Sequence, residues 1–85
     1  MEVIFSSHAL DDLSYWKQTQ NNKILQRIRL LIEHIETDPF HGIGKPEPLR
    51  HNYSGMWSRR INQTHRIIYE VSSNKILIHA LREHY

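Results

Sequence analysis

Three ionisable side chains in this 85-residue chain are far apart in sequence but together suit one reaction. Glu47 lies between two prolines, Arg66 lies in an apolar run, and His84 is followed by a single residue. RNA cleavage by its own 2'-hydroxyl needs a base for the hydroxyl proton, an acid for the departing 5'-oxygen and positive charge beside the phosphorus. A carboxylate, an imidazole and a guanidinium provide these without a metal.

The stretch Lys45-Pro46-Glu47-Pro48 predicts a stiff connection between a helix and a strand. Lys45 and Glu47 each precede a proline, so both are predicted to be extended. A stiff backbone lowers the cost of positioning a catalytic carboxylate. The same residues also fit a plain rigid connector with an exposed ion pair that contributes ~0–1 kcal/mol.

Period-two alternation over residues 65–71 predicts a strand with Ile67, Tyr69 and Val71 towards the core. Arg66 then points to the opposite face, where its planar fork could hold a phosphate by two parallel hydrogen bonds. The alternative is a cross-strand ion pair between Arg66 and a nearby glutamate, Glu70 or Glu83.

His84 is the candidate acid because an unperturbed imidazole titrates near neutral pH. Chain ends usually fray, which argues against a fixed role for a residue this close to the terminus. However, a strand predicted over residues 75–82 would hold the end of the chain on the sheet.

Charge is divided unevenly along the chain. Residues 1–42 hold four Lys/Arg and six Asp/Glu, whereas residues 43–85 hold seven and three, so the halves carry −2 and +4. In the basic half, aromatic residues are interleaved with the cations, which suits a polyanion with exposed bases. A solvated cationic sheet face fits the composition equally well.

The pattern predicts an α+β fold of one domain, residues 1–85. A short strand over residues 3–5 is followed by a helix capped by Ser6 or Ser7, with Asp11 and Asp12 in its first turn. A second amphipathic helix spans 24–35 and ends before Pro39. Three further strands, 55–61, 65–71 and 75–82, complete a small, mainly antiparallel sheet that carries the helix pair on one face.

The composition also indicates the cellular compartment of the protein and the kinds of group that it binds. The chain has no cysteine, which suits the cytoplasm, and no apolar run is long enough to cross a bilayer. Its seven histidines do not follow a metal-ligand spacing, so neither a metal site nor a cofactor is expected.

Several motifs resemble the YoeB toxins of bacterial toxin–antitoxin pairs, within the RelE/ParE superfamily. The resemblance covers nearly the whole chain and is strongest in Lys-Pro-Glu-Pro-Leu (45–49), Trp-Ser-Arg-Arg-Ile (57–61), His65-Arg66-Ile-Ile-Tyr69 and His84-Tyr85. It implies a ribosome-dependent endoribonuclease that cuts messenger RNA in the decoding site and is neutralised by a small antitoxin protein. The sequence does not distinguish a monomer from a homodimer.

The resemblance also assigns roles to residues of this chain. The carboxylate base falls on Glu47, the acid on His84, the phosphate-stabilising arginine on Arg66 and a functional terminal tyrosine on Tyr85. A family lysine is replaced by Arg50. Further cations implied to bind ribosomal or messenger RNA are Lys45, Arg59 and Arg60. Alternation places Arg59 and Arg60 on opposite faces, so only one of them can face a given ligand.

Two other functions remain open at this point. A gyrase-inhibiting toxin of the same superfamily would share the fold, although such relatives generally lack the acid–base pair. A non-catalytic RNA-binding domain would need only the positive charge and the aromatic rings.

Overall fold

The computed structural model describes residues 1–84 and has two helices and five strands. The elements, in chain order, are β1 (Glu2–Phe5), α1 (Ser7–Gln18), α2 (Asn22–Thr37), β2 (Glu47–Pro48), a single 3-10 turn (His51–Tyr53), β3 (Trp57–Arg60), β4 (Arg66–Ser72) and β5 (Lys75–Glu83). One sheet has the order β1-β5-β4-β3-β2, in which only the β1–β5 pair is parallel. The α+β class and the mainly antiparallel sheet are therefore confirmed.

Side-chain caps set the starts of both helices. The Ser6 hydroxyl accepts a hydrogen bond from the Ala9 amide at 3.0 Å, and the Asn21 side chain accepts one from the Ile24 amide at 3.2 Å. Each cap satisfies an amide that has no partner within its helix. The second helix ends at Thr37, because the residue before Pro39 avoids helical geometry.

The predicted role of Asp11 and Asp12 in the first turn of α1 is wrong. The helix begins at Ser7, so both residues lie beyond the first turn. Asp12 is instead buried, and its carboxylate accepts a hydrogen bond from the backbone amide of Leu81 in β5 at 2.9 Å. This contact joins the first helix to the end of the last strand.

The two faces of the sheet differ in composition. One face packs against the helices in the main core, whose buried members include Ile28, Leu31, Ile35, Ile67, Tyr69, Ile76, Ile78 and Leu81. The other face carries only a small cluster of Leu49, Ile68 and Ala80, with Met56 against it. We call this second face the open face. It is the one available for polar side chains that bind a ligand.

The β5 strand is irregular in its second half. Tyr69 pairs with Ile78, but Ile68 pairs with Ala80 and Arg66 with Glu83, so β5 holds extra residues relative to β4. Such bulges change which side chains face each side of a sheet. Accordingly, Ile78 lies in the main core and Ala80 on the open face.

Within residues 1–84, neither helix has the length and apolar character needed to span a membrane.

Candidate active site

Glu47 lies in a strand and not in a free loop. It pairs with Ser58 of β3 at the edge of the sheet, which fixes its backbone in the predicted extended conformation. Lys45 was also predicted to be extended, and this is wrong: its φ is +53°, in the left-handed region. The chain thus turns sharply at Lys45 before it enters β2.

Glu47 and Arg66 are in direct contact on the open face. Nη1 of Arg66 donates to Oε1 of Glu47 at 2.5 Å and to the Ser58 hydroxyl at 3.2 Å. The Arg66 side chain is only 16% exposed, whereas that of Glu47 is 51% exposed. A largely buried guanidinium therefore orients a carboxylate that solvent or substrate can reach.

The other glutamates considered as partners of Arg66 have contacts of their own. Oε1 of Glu70 lies 2.9 Å from Nε2 of His79, and Oε1 of Glu83 lies 3.5 Å from Nε2 of His8 in α1. Glu83 is the register partner of Arg66 across β4 and β5.

Arg59 was predicted to bind RNA, and the structure contradicts this. Its side chain is fully buried on the helix side of the sheet. Nε donates to the Tyr69 hydroxyl at 3.1 Å, Nη1 to the Ile43 carbonyl at 3.1 Å, and Nη2 to the carbonyls of Asp38 and His41 at 2.6 and 3.0 Å. A guanidinium enclosed in this way cannot reach an external phosphate.

The Arg59 contacts fix the loop that leads to Glu47. The Tyr69 hydroxyl donates in turn to the Pro39 carbonyl at 2.6 Å, and burial raises the pKa of this phenol, which keeps its proton. Gly44 has a φ of +83°, and a Cβ there would lie 2.9 Å from Leu31 Cδ2 and 3.1 Å from Arg59 Cβ. Only glycine fits this backbone position. Sequence reasoning missed both Arg59 and Tyr69 as determinants of the loop.

The remaining cations predicted to bind RNA are exposed. Arg60 is the cross-strand partner of Arg66, and directly opposed residues share a face, so Arg60 projects from the open face. Lys45 and Arg50 are exposed before and after β2. Exposed positive charge is therefore close to Glu47 along the chain, at Lys45 and Arg50, and opposite Arg66 across the sheet, at Arg60.

His84 follows β5 directly and lies beside the start of β4. Its ring contacts the ring of His65 edge to face, with centroids 5.0 Å apart. Glu83 is paired with Arg66, so His84 lies at the Arg66 end of the sheet. Its ring lies against His65, which contacts Trp16 on the helix side, whereas the Glu47–Arg66 contact is on the open face. Tyr85, the other terminal candidate, lies outside the described residues.

The environment of His65 favours its neutral form. Burial is the main cause that lowers its pKa below the ordinary 6.5, and the charges of His84 and Arg82 act in the same direction. Its Nδ1 is buried and has no hydrogen-bond partner among residues 1–84. A proton on that nitrogen would add a buried donor without an acceptor.

The lowered pKa of His65 predicts a stability that falls in acid. As the pH drops below about 6.5, the imidazole binds a proton more readily in the unfolded chain than in the folded chain. Protonation therefore stabilises the unfolded state relative to the folded state. We expect the fall in Tm between about pH 7.5 and pH 5.5 to be smaller in His65→Phe than in the wild type. Thermal melts at matched ionic strength measure this, and equal falls in both proteins would contradict it.

Among residues 1–84, no three histidine, aspartate or glutamate side chains lie together in an arrangement that could hold a metal ion.

Comparison with known proteins places this arrangement in a family. Residues 5–85 match the family model described as the YoeB-like toxin of bacterial type II toxin–antitoxin systems. Toxin YoeB of Escherichia coli K12 is 47% identical over 85 residues, which is the full length of both chains.

Solved structures agree with the family match. A YoeB/ParE toxin from Agrobacterium tumefaciens superposes over the full length of both chains with a TM-score of 0.95 at 36% identity. Staphylococcus aureus YoeB, in a heterotetrameric YoeB–YefM toxin–antitoxin complex, matches with a TM-score of 0.89 at 38% identity over 100% of this chain and 98% of its own. The same toxin is also known as a dimer, with a TM-score of 0.91 at 38% identity over the same shares. This chain therefore belongs to the YoeB family of toxins from type II toxin–antitoxin systems.

Proposed function

We propose that this toxin is a ribosome-dependent endoribonuclease that cleaves messenger RNA in the decoding site and so arrests translation. The observation that carries the proposal is the contact between Arg66 and Glu47 on the open face, at the end of the sheet where Glu83, the residue before His84, pairs with Arg66. The proposed base and the proposed phosphate-binding cation are thereby in contact, and the proposed acid follows the strand residue that pairs with Arg66, although the three are far apart in sequence.

The chemistry follows from the three groups. Glu47 accepts the proton of the 2'-hydroxyl, O2' attacks phosphorus, and the bond from phosphorus to O5' breaks. His84 donates a proton to O5' as it leaves, and Arg66 stabilises the added charge on the phosphoryl oxygens. The products are a 2',3'-cyclic phosphate and a 5'-hydroxyl. Because side chains supply the base, the acid and the positive charge, no metal is needed.

The order of the strands suits this displacement. The entering and leaving oxygens of an in-line reaction lie on opposite sides of phosphorus. Glu47 reaches Arg66 from β2, and His84 extends from β5 on the other side of β4.

The surrounding cations supply affinity for RNA. Arg60, Lys45 and Arg50 are exposed around the Glu47–Arg66 pair, and each phosphate that they neutralise releases counterions. Binding by these residues should weaken as salt rises and should not depend on base sequence.

The partner of the toxin in the cell is proposed to be a cognate antitoxin. The Staphylococcus aureus relative is known in complex with YefM, and the exposed cations Lys45, Arg50 and Arg60 offer a target for an acidic segment that becomes ordered on binding. A homodimer is proposed as a second assembly, since that relative is also known as a dimer. A complex that left Arg66 and His84 open would contradict the proposed antitoxin site but not the nuclease function.

The proposed function is tested with purified protein, a defined messenger and purified ribosomes. Cleavage is expected when ribosomes are present and should be reduced or absent on the free messenger. If no cleavage occurs with either substrate, the nuclease proposal is wrong. Inhibition of gyrase supercoiling by the same preparation would then favour the alternative branch of the superfamily.

Arg66→Lys is expected to preserve RNA affinity but lower the cleavage rate. It keeps the positive charge but lacks the planar fork that holds both a carboxylate and a phosphate oxygen. We expect kcat to fall by about 10- to 100-fold with little change in KM. Single-turnover cleavage measures the effect, and an unchanged rate would remove Arg66 from the reacting site.

A further inference from the structure

The position of His84 poses a physical problem. It follows the last residue of β5, and chain ends are normally poorly ordered. An acid must nevertheless be held close to its productive geometry, because a displacement of about 1 Å can cost about 100-fold in rate. The structure must therefore contain contacts that restrain the terminal imidazole.

The first restraint is the attachment of α1 to the end of β5. The Leu81 amide donates to Asp12 at 2.9 Å, and Nε1 of Trp16 donates to the Leu81 carbonyl at 2.9 Å. Asp12 and Trp16 are both buried, which protects these bonds from water. One residue further on, the Arg82 guanidinium lies 3.8 Å above the centre of the Tyr15 ring. Together with the pairing of Glu83 to Arg66, these contacts hold the chain up to the residue before His84.

The second restraint acts on the His84 ring itself. The His65 ring lies between those of Trp16 and His84, with both pairs of centroids 5.0 Å apart and interplanar angles of 76° and 78°. Edge-to-face contacts of this kind are favourable for aromatic rings. Burial lowers the pKa of His65, which favours the neutral form of this ring.

We infer that His65 is a positioning residue for the terminal imidazole. Its ring, supported by Trp16, provides the surface against which the His84 ring is held. His65 contacts the acid and does not take part in proton transfer itself. This inference rests on the proposed function for its effect on rate, but the placement of the His84 ring can be measured separately.

The test compares two substitutions at one position in the full-length protein. His65→Phe keeps an aromatic ring against His84, whereas His65→Ala removes it. We expect kcat for messenger cleavage to fall by about 10- to 100-fold in His65→Ala and to stay within about 3-fold of wild type in His65→Phe, with KM little changed in both. His79→Ala is the control, since it removes a β5 histidine that bonds Glu70.

Nuclear magnetic resonance of the imidazole protons tests placement without an activity assay. In the wild type and in His65→Phe, His84 should show nuclear Overhauser contacts with the ring at position 65 and ring-current shifts. In His65→Ala the chemical shifts of the His84 ring protons should move to those of histidine in an unstructured peptide. If His65→Ala does not fold, the nuclear Overhauser contacts of His84 in the wild type and in His65→Phe decide whether the inference holds.

Two results would overturn the inference. One is wild-type His84 signals and wild-type turnover in His65→Ala. The other is a folded His65→Phe that loses as much activity as His65→Ala, because an aromatic ring at position 65 would then not be enough to position His84. If the wild type cleaves no messenger, the proposed function fails, while the resonance measurement still decides whether His65 positions His84.

Discussion

Glu47→Gln is expected to lower messenger cleavage on ribosomes by about 100-fold or more, which is the typical contribution of a general base. The amide has the shape of the carboxylate and keeps an oxygen that can accept from Nη1 of Arg66, but it cannot take a proton from the 2'-hydroxyl. Because Glu47 is half exposed, the substitution should leave the fold intact. Rates measured at saturating toxin, together with ribosome-binding affinities, separate loss of chemistry from loss of binding.

Glu70→Gln is the matched control for this substitution. Glu70 is also a glutamate of the sheet, but its carboxylate bonds His79 and not Arg66. We expect its cleavage rate to stay within about 3-fold of wild type. Cleavage by Glu47→Gln at a similar rate would remove Glu47 from the reaction. A simple RNA-binding domain would show no cleavage by any of the three proteins.

The second large effect is expected on stability. Replacement of Arg59 by methionine leaves three loop carbonyls and the Tyr69 hydroxyl without a donor. A buried group left unsatisfied costs about 1–3 kcal/mol. The Tyr69 contact is buried and the three carbonyl contacts are part-buried, so the free energy of unfolding should fall by about 3 kcal/mol or more in total. For a domain of this size, that lowers Tm by at least about 12 °C.

Arg60→Met provides an unusually close control, because the two arginines are adjacent and of opposite orientation. The Arg60 side chain is exposed, so Tm should change by no more than about 4 °C. Its loss should instead weaken ribosome binding and reduce the dependence of that binding on salt. Calorimetry and salt titration measure the two effects. Equal melting temperatures for Arg59→Met and Arg60→Met would contradict the structural role of Arg59.

Much of the fold could be predicted because periodicity reports burial directly. The three- and four-residue spacing from Ile24 to Ile35 placed α2 on the core, and alternation after His65 placed Ile67 and Tyr69 opposite Arg66. The strand at Glu47 was not predicted, because a strand of two residues, one of them a proline, shows no periodicity. It forms only through pairing with β3.

The sequence also could not show which of the adjacent residues Arg59 and Arg60 is buried, and the reason is different. Alternation separates Arg59 from Arg60 but does not identify the buried one. Trp57 and Ile61, which share a face with Arg59, do favour burial, but a charged residue is rarely buried unless it is satisfied by partners such as loop carbonyls. Those carbonyls come from residues 38–43, about twenty positions earlier, and no side-chain pattern marks them.

The end of the chain was the least predictable part of the site. The bulges in β5 upset the alternation that would assign faces to residues after Ile78. The contact between His65 and His84 depends on that changed register and on support from Trp16 in α1. The sequence therefore identified the candidate site residues, but not the side chains that contact them.

The central claim is that Glu47, Arg66 and His84 act on one phosphodiester, with the 2'-hydroxyl of the RNA as nucleophile. Chemical analysis of the ends produced by ribosome-bound cleavage tests it most directly. The account predicts a 2',3'-cyclic phosphate, or the 3'-phosphate formed when it opens, on the upstream fragment and a 5'-hydroxyl on the downstream fragment, with no product from a messenger carrying 2'-deoxyribose at the cleavage site. A 3'-hydroxyl with a 5'-phosphate, or efficient cleavage of the deoxy-substituted messenger, would contradict it.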